Sequence, residues 1–135
     1  SIMYYEIVSV TTKVDKKGND KKVAEKFIVK DCIFFAECEV KGLELYNNEN
    51  DIVAIKQSKL REFVNERTNE DEQIYFATIE DVFIDDDDNE KTTAYIVAVF
   101  ARSLEEATNR TKEYMKQGYD MVLSKIVRTK FVDVI

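Results

Sequence analysis

The sequence predicts an α+β fold: tandem, pseudo-symmetric β-β-α-β repeats sharing one core, with an antiparallel-rich sheet and two helices. Three observations lead there. First, Tyr4-Tyr5-Glu6-Ile7-Val8 is echoed by Tyr75-Phe76-Ala77-Thr78-Ile79, and Leu60-Arg61-Glu62-Phe63-Val64 by Phe131-Val132-Asp133-Val134-Ile135. Both echoes lie 71 positions downstream (75 − 4 and 131 − 60). Second, each half contains two β-rich runs joined by a polar turn, the pattern of a hairpin. Third, a stripe of helical period follows in each half, and a further β-rich segment closes it.

In the first half, residues 3–12 are rich in Tyr, Ile and Val and read as a strand. Asp15-Lys16-Lys17-Gly18-Asn19-Asp20 carries the Gly and Asx residues of a turn. The chain returns over residues 23–33, around Phe27-Ile28-Val29. In the second half, residues 74–84, 85–90 and 92–101 repeat this strand, turn and strand. Tyr95-Ile96-Val97-Ala98-Val99-Phe100 is apolar on both faces, as expected of an inner strand.

The second helix is the better marked. Ser103 and Glu106 form a capping box, Leu104, Ala107, Thr108, Thr111, Tyr114 and Met115 fall at helical spacing, and Gly118 supplies a stop. Subtracting 69 places Phe35, Cys38, Glu39, Gly42, Leu45 and Tyr46 in the first helix. Phe34 stands there in place of the capping serine. Gly42 weakens that helix by about 1 kcal/mol relative to alanine. Ile52-Val53-Ala54-Ile55 running on to residues 60–64, and Met121-Val122-Leu123 running on to residues 131–135, close the two halves. The expected organisation is one domain over 1–135, with repeat one at 3–64, a polar linker at 65–73 and repeat two at 74–135. A single continuous sheet with both helices on one face is the favoured assembly, and two facing layers are the other.

Composition removes much chemistry. With no histidine, imidazole bases, Cys-His dyads, Ser-His-Asp triads and His-ligated zinc are excluded. Two cysteines cannot complete a four-cysteine zinc site, and three scattered glycines form neither a Walker loop nor a dinucleotide fingerprint. The remaining reactive groups are Cys32, Cys38, Lys56, Lys125 and scattered carboxylates, with Lys56 and Lys125 at related positions (125 − 56 = 69). The cysteines read as small apolar thiols rather than a disulfide. No catalytic residue, cofactor or metal ligand is assigned, and the expectation is a non-enzymatic protein. No apolar run approaches the roughly 20 residues of a membrane helix. The opening residues show no basic region leading into an apolar stretch, so a cytoplasmic location is expected.

Charge is the informative asymmetry. The net −7 falls wholly in the second half: residues 1–68 hold 12 basic and 12 acidic side chains, and residues 69–135 hold 8 and 15. The contrast is sharpest at the hairpin turns, where Lys13, Lys16, Lys17, Lys21 and Lys22 in the first are matched by Asp85, Asp86, Asp87, Asp88 and Glu90 in the second. Opposite charge at matching sites suits head-to-tail association or a charged partner. Solvated turn tips that keep exposed hairpins soluble are the plainer reading. An EF-hand starting at Asp85 would need Gly where Glu90 stands and Glu where Ile96 stands, so no dedicated calcium loop is expected. The partner-binding candidates are Lys16, Lys17, Lys21, Lys22, Asp85, Asp86, Asp87, Asp88 and Glu90, engaging a protein. The alternative is a nucleic-acid-binding accessory protein that uses the lysine-rich first hairpin with Tyr4, Tyr5 and Phe27 as stacking groups.

Three further features carry a resemblance. They are the opening Met3-Tyr4-Tyr5-Glu6 with the lysine-rich hairpin 16–22, the helix entry Phe35-Ala36-Glu37-Cys38-Glu39, and the apolar-x-acidic-apolar endings Leu60-Arg61-Glu62-Phe63 and Phe131-Val132-Asp133-Val134. Over nearly its whole length the chain resembles an uncharacterised domain-of-unknown-function family of Bacteroides-type gut bacteria and their phages. Phe34 and Ala36 depart from the polar cap of that pattern, and its aromatic-proline ending is missing. Those departures imply a divergent member, from such a bacterium or from a phage, acting in the host cytoplasm if phage-encoded. It implies no activity and no functional residues.

Overall fold

The computed structural model describes residues 3–118 and 120–135. Its elements are β1 (Tyr5–Val14), β2 (Asp20–Val29), α1 (Phe35–Glu44), β3 (Asp51–Gln57), β4 (Leu60–Phe63), β5 (Gln73–Ile84), β6 (Glu90–Ala101), α2 (Leu104–Met115), β7 (Met121–Arg128) and β8 (Phe131–Val134). The fold is α+β, with two mostly antiparallel sheets and two helices among the described residues. The favoured single sheet is thus corrected to two four-stranded sheets, of order β3-β1-β2-β8 and β7-β5-β6-β4. No described helix is long and apolar enough to cross a membrane.

The chain forms two compact units, Ser1–Ser58 with Lys130–Ile135 (unit 1) and Lys59–Thr129 (unit 2). These are not the sequence halves. Each closing segment, read above as one run, breaks after its first strand. Ser58 N–H donates to Tyr4 O (2.8 Å) and Thr129 N–H to Ile74 O (3.0 Å), which ties off β3 and β7. The short strand that follows joins the other half's sheet: β4 lies parallel to β6, and β8 parallel to β2. Parallel neighbours cannot be joined by a tight turn, and a strand arriving from the distant half meets that requirement.

The two sheets share one pairing register at an offset of 70, one less than the opening echo suggested. Tyr5 faces Val29 and Ile7 faces Phe27, while Tyr75 faces Val99 and Ala77 faces Val97. Burial explains the correction. Tyr5, Ile7 and Ser9 are buried, as are Tyr75, Ala77 and Ile79. An offset of 71 would set Glu6 against the buried Ala77, because a one-residue slip exchanges the two faces of a strand.

Each unit carries its own apolar cluster. In unit 1, Tyr5, Ile7, Phe27, Val29, Cys32 and Cys38 pack with Leu45, Ile52, Ile55 and Ile135. In unit 2, Tyr75, Val99, Ala101 and Ala107, and likewise Ala77, Ile79 and Val97, pack against Val64 and Ile126. A fully buried side chain such as Ile7 or Ile79 contributes about 1.5–3 kcal/mol. The inner-strand reading of β6 holds, since residues 97–101 are all buried.

The helix signals hold with two adjustments. Glu106 N–H donates to the Ser103 hydroxyl (3.1 Å), while the Glu106 carboxylate accepts from Arg102 N–H (3.2 Å), one residue before the position a capping box requires. Phe34 at the start of α1 makes no side-chain cap bond. The buried stripe begins one turn later than expected. Phe35 is 54% and Leu104 52% exposed, whereas Cys38 and Gly42, like Ala107 and Thr111, are buried against their sheets. Gly42 also serves packing, because a Cβ there would lie 2.7 Å from Ile52 Cδ1 and 2.8 Å from Ile7 Cδ1.

Candidate functional site

The two hairpin turns share one backbone template. In the β1–β2 turn, Asp15 N–H donates to Asn19 O (2.9 Å) and Gly18 N–H to Asp15 O (3.1 Å). Asp15 Oδ1 accepts from Lys17 N–H and Asn19 N–H, both at 2.9 Å. The β5–β6 turn reproduces every one of these bonds. Asp85 N–H donates to Asn89 O (2.9 Å), Asp88 N–H to Asp85 O (3.1 Å), and Asp85 Oδ1 accepts from Asp87 N–H and Asn89 N–H (2.9 Å each). The fourth turn residue takes a positive φ, 80° at Gly18 and 61° at Asp88. Glycine adopts that conformation freely, and aspartate is among the few other residues that tolerate it.

Two of the four consecutive aspartates are therefore accounted for by the turn. Asp85 is its acceptor and Asp88 its left-handed residue; Asp85 also stands 4.0 Å from Lys91 Nζ. Asp86 and Asp87 are exposed, and their counterparts at the same turn positions are the exposed Lys16 and Lys17 (86 − 16 = 87 − 17 = 70). Lys21, Lys22 and Glu90 sit on the first rungs beyond the turns, opposite Lys13, Thr12 and Ile84. A like-charge pair such as Lys13 and Lys21 directly opposite destabilises a ladder, by about 0.2–1 kcal/mol, so strand stability does not favour it.

The structure brings the expected lysines together at one tip and the expected carboxylates together at the other. β3 pairs with β1 over residues 5–10, and β8 with β2 over residues 26–28. The rungs from Thr11–Val23 to Val14–Asp20 therefore form a two-stranded ribbon. In unit 2, β7 pairs with β5 up to Asp81 and β4 meets β6 at Ile96, leaving Phe83–Lys91 and Ile84–Glu90 as the end of the second ribbon. Val14 is 69% and Ile84 62% exposed at these ends.

Other candidate groups are not assembled. Tyr4, Tyr5 and Phe27, the proposed stacking aromatics, are buried. Cys32 and Cys38 are free thiols in the apolar cluster of unit 1. Burial, helped by the hydrogen bond to Cys32, pushes the Cys38 thiol up to about 12, far from a reactive thiolate. Lys56 lies 3.7 Å from Glu6, and the sheet register matches Ile55 to Ile126, so Lys56 and Lys125 are not equivalent after all. Among the described residues no group of three or more His, Cys, Asp or Glu side chains is arranged to hold a metal ion.

One polar cluster is missing from the sequence reading. The segment 65–73, expected as a linker, is built into unit 2. Asn65 substitutes for a strand residue: its Nδ2 donates to Phe100 O (3.0 Å) and its Oδ1 accepts from Phe100 N–H (2.8 Å). Glu72, its side chain 1% exposed, lies 2.7 Å from Arg110 Nη1. It also accepts from Thr68 N–H (2.7 Å), the Thr68 hydroxyl (3.2 Å) and Asn69 N–H (3.0 Å). The Arg110 bond and these N–H groups hold the Glu72 carboxyl down at about 2, against its burial. Arg110 also reaches Glu106 (2.9 Å) and the carbonyl of Phe100, so α2, β6 and the segment before β5 meet on one guanidinium. Beside it opens a cleft of about 700 Å³ lined by Asn65, Glu66, Thr68, Glu113, Tyr114 and Gln117, among others. Tyr114 donates to Glu62, and burial together with that bond raises its phenol well above the ordinary value. The cations at the cleft are engaged: Arg110 as described, and Lys116 with Glu113 (2.8 Å). The cluster reads as a clasp.

No curated protein matches the chain. The profile of a domain of unknown function (DUF4494) matches residues 3–135, all but the first two positions, and the chain belongs to that family.

Proposed function

We propose that this is a non-enzymatic binding or adaptor protein that engages a protein partner through its two charged hairpins. One observation carries the reading: a single turn template presents Lys16 and Lys17 in one hairpin and Asp86 and Asp87 in the other, all exposed, and the turn's hydrogen bonds use only their backbone and not their side chains. Charge reversal on an unchanged backbone alters what a surface recognises without altering the fold. The free, buried thiols suit a reducing compartment, and we place the protein in the cytoplasm. The sequence resemblance supports a Bacteroides-type gut bacterium or one of its phages as the source, and hence the host cytoplasm as the place of action.

The test is quantitative capture from host lysate with wild type, Lys16→Glu/Lys17→Glu and Asp86→Asn/Asp87→Asn, with and without nuclease. A nuclease-resistant protein partner reduced about tenfold or more by either variant is expected. Identical recovery with all three proteins, or capture abolished by nuclease, would overturn the reading. The second outcome would favour nucleic acid, held through phosphate contacts by the lysine tip.

A further inference from the structure

We propose that the partner of each hairpin tip is the opposite tip of a second copy of this chain: the basic β1–β2 tip docks on the acidic β5–β6 tip, giving head-to-tail association. This rests on the hairpin reading above and names its occupant. Residues 13–22 carry five lysines and two aspartates, net +3, and the equivalent positions, residues 83–92, carry five carboxylates and one lysine, net −4. Each tip therefore finds on another copy a surface of nearly equal and opposite charge. The backbones match too, since both turns have the same hydrogen bonds.

The ribbons are unpartnered sheet ends. Residues 11–14 with 20–23, and residues 83–84 with 90–91, pair with each other beyond the reach of the flanking strands. Their outer edges leave main-chain donors and acceptors available for a strand of another molecule. Val14, Phe83 and Ile84 are exposed beside the charges and supply apolar area to cover.

The net charge of −7 opposes any self-association. At about 0.1 M salt the Debye length is about 10 Å, so charges spread across the molecule are largely screened while those in contact at the tips are not. At about 1 M it falls to about 3 Å, and the tip attraction fades as well. Because the surfaces are heterologous, each association leaves a further tip of each sign open, so the assembly grows with concentration unless it closes into a ring.

Sedimentation velocity tests this on the whole chain at up to about 0.5 mM, in the range of a small, weak interface. The variants Lys16→Glu/Lys17→Glu and Asp86→Lys/Asp87→Lys leave Asp15, Gly18, Asp85 and Asp88 to hold the turns, and matching thermal melts confirm that they fold. Wild type is expected to sediment faster with concentration at about 0.1 M salt and as a single copy at about 1 M. Each variant alone should lose about tenfold or more in association constant. An equimolar mixture of the two variants should regain one such contact, because the Asp86→Lys/Asp87→Lys copy keeps its basic β1–β2 tip and the Lys16→Glu/Lys17→Glu copy keeps its acidic β5–β6 tip. Wild type that stays a single copy at about 0.1 M salt, or variants that associate as well as wild type, would overturn the inference. If self-association is absent while lysate capture still depends on the same charges, this inference falls and the hairpin reading stands. If both are absent, both fall.

Discussion

Glu72→Gln offers the sharpest test of the clasp in unit 2. In the folded chain the Glu72 carboxyl is held at about 2, against 4.5 without its partners. A carboxyl depressed by folding stabilises fully above its unfolded value and loses that contribution as pH falls toward the folded one. The window is thus about pH 5 to pH 2, and a depression of this size corresponds to about 3 kcal/mol at pH 7. The side chain is 1% exposed, so solvent screening takes little from it. The substituted glutamine would still accept from Thr68 and Asn69 N–H but would lose the ion pair. The variant should therefore cost about 2–3 kcal/mol at pH 7 and little near pH 2, where protonated glutamate resembles glutamine. Urea unfolding of both proteins at several pH values gives the difference directly, and acid effects common to both cancel. A difference independent of pH, or none at pH 7, would refute the argument. Arg110→Met should cost more than Glu72→Gln at neutral pH. It strands a buried carboxylate, whereas removing Glu72 leaves a one-third-exposed guanidinium still paired with Glu106.

Two further outcomes follow from the fold. Deleting residues 130–135 takes the parallel neighbour from β2, Phe131 from beside Lys26 (4.8 Å to the ring) and Ile135 from the unit 1 cluster. The expected cost is about 3–5 kcal/mol, with hydrogen exchange accelerating at Lys30, whose N–H donates to Ile135 O (2.9 Å); unchanged stability would deny β8 its role. Phe34→Ser gives α1 the cap that Ser103 gives α2 and replaces a 65%-exposed phenylalanine, so a gain of about 1 kcal/mol is expected in thermal or urea unfolding, and a loss would show that Phe34 packs to purpose.

What could be read from the sequence depended on how far apart the cooperating residues lie. Ser103 and Glu106 are three residues apart, and the Asx turns close within five, so local pattern sufficed for the α2 cap and both hairpins. Glu72 and Arg110 are 38 residues apart, and Glu72 sits in a polar stretch composed like any linker. Nothing local marks it as buried. The destination of the last strands is hidden for a related reason. The apolar-x-acidic-apolar pattern of Leu60-Arg61-Glu62-Phe63 names no sheet, and its place beside β6 shows only in the fold.

The hairpin charges were visible from the start, but their division was not. A run of four aspartates suggests one acidic feature, whereas the turn geometry separates it into two kinds. Asp85 and Asp88 follow from the backbone, as Asp15 and Gly18 do in the first hairpin. Removing those leaves Lys16 and Lys17 against Asp86 and Asp87, a difference the fold neither requires nor forbids. Residues that stability leaves free to vary, yet that carry opposite charge at matching sites, are where a partner's preference is most economically written. The test of function therefore belongs at these four positions, with Asp85 and Asp88 kept intact so that recognition can change while the turn does not.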